Sequence, residues 1–100
     1  MKFDFETMLK AEGIEFEKEY KFYDNRKFRA DYRIKNTDIL IEIEGGTWAK
    51  GRHITGTGYR NDCIKYNLAQ RCGFILLRYT TDMVRDMQFK IIDEIKELMI

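Results

Sequence analysis

Residues 27–35 read Lys-Phe-Arg-Ala-Asp-Tyr-Arg-Ile-Lys, and after Asn36-Thr37-Asp38 residues 39–44 read Ile-Leu-Ile-Glu-Ile-Glu. In the first stretch Phe28, Ala30, Tyr32 and Ile34 alternate with Lys27, Arg29, Asp31, Arg33 and Lys35. Successive side chains of a strand point to opposite faces, so this period of two predicts a strand with one apolar and one strongly polar face. In the second stretch Ile39, Ile41 and Ile43 share one side, and Leu40, Glu42 and Glu44 share the other. Asn36-Thr37-Asp38 is a turn signal, so the two strands are expected as antiparallel neighbours. That pairing brings Asp31, Glu42 and Glu44 towards one patch.

Upstream, residues 3–12 read as a short helix ended by Gly13, and residues 14–22 alternate as a strand before the turn Asp24-Asn25. Downstream, residues 45–58 hold five of the seven glycines. They read as a long loop, and unstructured loops of that length tend to be functional. Residues 59–72 are predicted helical, stopping at Gly73, and residues 74–79 form a mostly buried fourth strand. Thr81 is placed to cap a last helix, whose apolar stripe is Met83, Val84, Met87, Ile91, Ile95 and Leu98. Short connections make the first three strands antiparallel neighbours, and a helical crossover makes the fourth parallel to one of them. The expectation is an α/β fold: a single domain over residues 1–100, an α-β-β-β-α-β-α sandwich with a mixed four-stranded sheet.

Composition narrows the function classes. The chain has 100 residues, 44% hydrophobic and 35% charged, which is globular and not disordered. No apolar run approaches the ~18 residues of a membrane span. The first ten residues, MKFDFETMLK, lack the apolar stretch of a signal peptide, so a cytoplasmic protein without membrane association is expected. Two cysteines and one histidine exclude most zinc-site patterns, so a metal would be held mainly by oxygen. Cys63 and Cys72 read as plain thiols. The net charge of +1 hides a pattern: −3 over residues 1–25, +4 over 26–35, −3 over 36–45, +5 over 46–80 and −2 over 81–100.

Asp31, Glu42 and Glu44 carry the chemistry. Carboxylates gathered on one patch repel each other, and a divalent cation reverses that penalty. Hard oxygen donors suit Mg²⁺ or Mn²⁺. Such an ion lowers the pKa of a bound water and stabilises charge on a phosphoryl oxygen. The plainer reading makes Glu42 and Glu44 a solvated strand face and pairs Asp31 with Arg29 or Arg33. Leu40 argues against it, because the face that it shares with both glutamates is then partly covered. Glu6, on the first helix, is a fourth candidate acid.

The glycine-rich segment supplies Lys50, Arg52 and His53 ahead of Thr55-Gly56-Thr57-Gly58. Glycines let a backbone approach phosphate, and basic side chains neutralise it. His53 can move a proton at the phosphate or stand as a plain surface residue. Trp48 anchors the loop or stacks on a base. Asp62 and Lys65 lie three residues apart on one helix face. They pair with each other, or Lys65 stands beside the metal site.

The order of elements, with Phe28-Arg29-Ala30-Asp31-Tyr32 and Ile41-Glu42-Ile43-Glu44-Gly45-Gly46, resembles the PD-(D/E)XK, or restriction-endonuclease-like, nuclease superfamily. Within it the likeness is to small prophage endonucleases related to very-short-patch repair endonucleases. Gly51-Arg52-His53 with Gly56-x-Gly58, Asp62-x-x-Lys65-Tyr66-Asn67-x-Ala69 and residues 73–80, GFILLRYT, match the same group. The resemblance implies Mg²⁺- or Mn²⁺-dependent hydrolysis of DNA by a phage- or prophage-encoded protein in the host cytoplasm. It makes Asp31, Glu42 and Glu6 metal ligands, Glu6 being the acid of the first helix. Glu44 stands where the superfamily usually has lysine, and Ala30 replaces the proline before Asp31. Lys65 or His53 then supplies the missing positive group. Arg29, Arg33, Lys50, Arg52, His53 and Arg60 are the candidate DNA contacts. Two other readings keep the fold: a DNA-binding module that does not cut, and a module that binds a protein. Cutting both strands, or resolving a branched or nicked phage substrate, favours a symmetric homodimer. The stripe of the last helix, with Leu98-Met99-Ile100, is either core or the seam of that dimer.

Overall fold

The structure, a computed structural model, describes residues 4–24, 28–45 and 56–99. The predicted hairpin is its centre. β2 (Arg29–Ile34) pairs antiparallel with β3 (Ile39–Glu44) across the turn at residues 36–38. Asn36 takes a left-handed φ of 63° there, and the Thr37 hydroxyl donates to Ile34 O at 2.7 Å while accepting from Ile39 N at 3.0 Å. β1 (Phe16–Lys21) pairs antiparallel with β2, and β4 (Ile75–Thr80) lies parallel to β3. The sheet order is β1-β2-β3-β4, so the expected mixed four-stranded sheet is present.

Helices cover both faces. α1 (Phe5–Ala11), α3 (Thr81–Asp86) and α4 (Gln88–Leu98) lie on one side, where Leu9, Ile34, Ile39, Ile41, Tyr79, Ile91 and Ile95 form the main core. α2 (Gly56–Arg71) lies on the other, over Phe22, Ala30, Leu40 and its own Ala69. Alternation along β3 divides the two cores, Ile39 and Ile41 going one way and Leu40 the other. Tyr32 packs against Phe5 and Phe16 at ring separations of 5.2 and 5.4 Å and fastens α1 to the sheet. The Tyr79 hydroxyl donates to Glu94 at 2.8 Å and ties β4 to α4.

α1 and α2 end in the same way. Gly13 (φ 71°) and Gly73 (φ 92°) sit in the left-handed region that glycine enters without a Cβ penalty. Ile14 N bonds Leu9 O and Gly13 N bonds Lys10 O; Phe74 N bonds Ala69 O and Gly73 N bonds Gln70 O. Both are Schellman closures that satisfy the last carbonyls of the helix.

Four expectations need correction. The single last helix is two, α3 and α4, joined at Met87 with φ −124° and ψ 30°. The turn lets Val84 and the group Ile91, Ile92 and Ile95 all reach the core, while Met87 and Leu98 stay exposed. The cap of α3 is Thr80, not Thr81, because β4 runs one residue further; its hydroxyl accepts from Met83 N at 3.2 Å. α2 begins at Gly56, inside the segment expected as loop. Finally, Phe28, Ala30, Tyr32 and Ile34 do not share one face. Ile34 and Tyr32 pack in the main core, whereas Ala30 and Phe28 pack under α2. β1 changes sides with them, Phe16 going to the main core and Tyr20 to the other, around Glu19 at φ 51°.

Candidate active site

The switch of faces in β2 falls at Asp31, where the hairpin opens. β2 and β3 pair at Tyr32↔Ile41 and Arg33↔Leu40. One step further, side chains replace the backbone ladder. The Asp31 carboxylate (Oδ2) accepts from Ile43 N at 2.8 Å, and the Glu42 carboxylate (Oε2) accepts from Asp31 N at 2.9 Å. Each acid is thus held by the strand that carries the other.

Glu42 is the only buried charged residue among those described, at 7% exposure. Its other oxygen, Oε1, accepts from Lys65 Nζ of α2 at 3.2 Å. Burial pushes its carboxyl above the ordinary carboxylate range; Lys65 opposes the rise and Asp31 adds to it. Lys65 therefore turns inward, rather than serving only as a surface partner of Asp62 on its own helix. Asp31 has no cationic partner among the described residues, so the expected pairing with Arg29 or Arg33 is not formed. Arg33 is engaged elsewhere: its Nε donates to Thr37 O at 2.9 Å, its Nη1 to the Tyr20 hydroxyl at 3.2 Å, and Glu17 lies 3.6 Å away.

Glu44 has a separate partner. Its carboxylate pairs with Arg78 Nε of β4, and the Arg78 guanidinium lies 4.1 Å from the centre of the Tyr66 ring. That pairing holds Arg78 more firmly protonated, and burial raises the Tyr66 phenol. Glu6 is likewise engaged: it accepts from the Tyr32 hydroxyl at 2.8 Å and lies 3.6 Å from Lys18. It shares with Asp31 the wall of an open cleft of about 300 Å³, together with Phe5, Lys18, Glu19, Tyr32 and Ile43. The three strand acids and Glu6 therefore share a region but not one ligand shell. Among the described residues no three His, Cys, Asp or Glu side chains gather at one point. Two carboxylates do interlock, and that donor set still fits Mg²⁺, which is usually bound by one or two carboxylates with water and substrate oxygens completing its shell.

Arg29 and Arg60 are exposed. Lys50, Arg52, His53 and Trp48 lie outside the described residues. Sequence reasoning gave no role to Tyr66 or Arg78. Each carried a signal: Tyr66 lies four residues after Asp62 and next to Lys65, and Arg78 is the one charged residue in the apolar run of residues 74–79. Register places Arg78 directly beside Glu42.

No protein-family model matches the chain. No curated protein matches it either. Its structure is similar to the catalytic domain of the homing endonuclease I-Bth0305I, with a TM-score of 0.66 over 93% of this chain and 86% of that one, at 16% sequence identity. The likeness is one of fold alone, an α/β architecture that in this chain carries a mixed four-stranded sheet.

Proposed function

We propose that the protein is a metal-dependent DNA endonuclease of the PD-(D/E)XK type. One observation carries the reading: Asp31 and Glu42 interlock where β2 and β3 part, on a nuclease-domain fold, with Lys65 against Glu42. Burying a carboxyl group is costly unless it is used or paired, and Glu42 sits between Lys65 and a second acid, Asp31, with its pKa raised by burial.

Asp31 and Glu42 would hold one Mg²⁺ or Mn²⁺. When bound, the ion activates water and neutralises charge on the scissile phosphate. The chain's own residues do the rest. Ile43 N and Asp31 N fix the two carboxylates, so neither has to reorganise when substrate arrives. Lys65 holds Glu42 and supplies a cation next to the phosphate, in place of the usual motif lysine. His53, the one histidine, is our candidate for moving a proton. Glu6 borders the same cleft and orients water there. Lys50, Arg52, Arg29 and Arg60 track the DNA backbone, which fixes position without reading sequence. Cutting both strands calls for two sites, which a homodimer provides.

The test is incubation with supercoiled plasmid and with a synthetic four-way junction in Mg²⁺, Mn²⁺ and EDTA. We expect cutting with either metal and none in EDTA. Preference for the junction assigns a branched substrate. Intact DNA of both kinds in both metals overturns the reading.

A further inference from the structure

We propose that Arg78 binds a substrate phosphate, and that Glu44 and Tyr66 are the residues that position it. This rests on the nuclease reading above. A guanidinium in an apolar strand needs a reason, and its surroundings give one. Arg78 is paired in register with Glu42, so it stands beside the acid at the centre of the site. Its Nε donates to Glu44, and its Cζ sits over the Tyr66 ring, 4.1 Å from the ring centre. A carboxylate bound at Nε and an aromatic ring beneath Cζ hold the group at two points and restrict its orientation. The side chain is still 46% exposed, so its Nη groups remain to meet a ligand. A fork of parallel N–H donors matches two phosphate oxygens, which a lysine ammonium does not.

Charge points the same way. Lys65 offsets Glu42, and Arg78 offsets Glu44. Asp31 has no cationic partner among the described residues, so these five side chains together carry one negative charge. A divalent cation turns that into one positive charge, which suits a single phosphodiester. Glu44 is then a holder of Arg78, not a metal ligand. The competing explanation is that Arg78 only neutralises Glu44.

The experiment replaces both members of the pair, Arg78→Gln with Glu44→Gln, so that no charge is orphaned. Binding of a short DNA duplex is measured against salt concentration in an Asp31→Asn background, so the readout does not depend on cutting. The loss of one phosphate contact makes the slope of log affinity against log salt shallower by about 0.9. Affinity falls about tenfold, the scale of one charge-assisted hydrogen bond. Tyr66→Phe, which keeps the ring, binds as the Asp31→Asn parent does, and Tyr66→Leu binds about threefold more weakly. An unchanged slope and affinity in the double variant overturn the assignment of Arg78; unchanged binding by Tyr66→Leu overturns the positioning. Arg78-dependent binding by a wild-type protein that cuts no DNA leaves this inference standing while the endonuclease reading falls. Cutting by wild type with Arg78-independent binding does the reverse.

Discussion

Glu42 holds a carboxyl group where little water reaches it. Its folded-state pKa is raised, so the ionised form is less stable in the fold than in the unfolded chain. The contribution of this group is fully favourable below the ordinary carboxylate pKa and is lost as pH rises through the raised value. Glu42→Gln is therefore expected to raise Tm at pH 7, with a gain that shrinks as pH falls through the carboxylate range. Thermal melts across that range check it; a lower Tm for the variant at pH 7 contradicts it. The same residue gives a metal signature. Saturating Mg²⁺ should stabilise wild type by about 2.7 kcal/mol at a hundredfold excess over Kd, and melts of Glu42→Gln should show almost none of that shift. Only part of this site was legible in advance. Asp31, Glu42 and Lys65 announce themselves by alternation and helical spacing. The bonds from Ile43 N and Asp31 N do not, because they arise where two strands part, and separation leaves no mark in a pattern of residue types.

α3 shows how far elements can be read from side-chain pattern. Its cap is Thr80, whose hydroxyl satisfies Met83 N. Thr80→Ala should cost about 1 kcal/mol in urea unfolding, and no change would shift the cap's role to the backbone alone. Ile95→Ala empties a fully buried position under the sheet, and should cost about 2–5 kcal/mol by the same assay. Strands β2 and β3 follow from alternation, and Gly13 and Gly73 mark two helix ends. The break at Met87 could not be read, because the stripe from Met83 through Ile95 continues across it at helical spacing with no glycine or proline. The change of faces in β1 and β2 was hidden for a related reason: Ala30 is apolar enough for either core. Glu19, at φ 51°, gives no sequence signal of its left-handed backbone.

At the scale of the whole molecule, charge and assembly are where the proposed contact with DNA is tested. No helix among the described residues is long and apolar enough to cross a membrane. The stretches 26–35 and 46–80 carry most of the positive charge. DNA binding should therefore weaken steeply with salt, about 0.9 in log–log slope per phosphate contacted. Salt-insensitive binding would favour a partner other than DNA. The number of strands cut per encounter reads the assembly: linear plasmid formed without an open-circle intermediate supports the homodimer, and open circles accumulating first support one copy acting alone. The measurement that tests the account most directly is the single-turnover cleavage rate of Asp31→Asn beside wild type in Mg²⁺, with the fold of both checked by circular dichroism. The account predicts a fall of roughly 10³-fold or more with the fold intact. Undiminished cleavage by Asp31→Asn would contradict it.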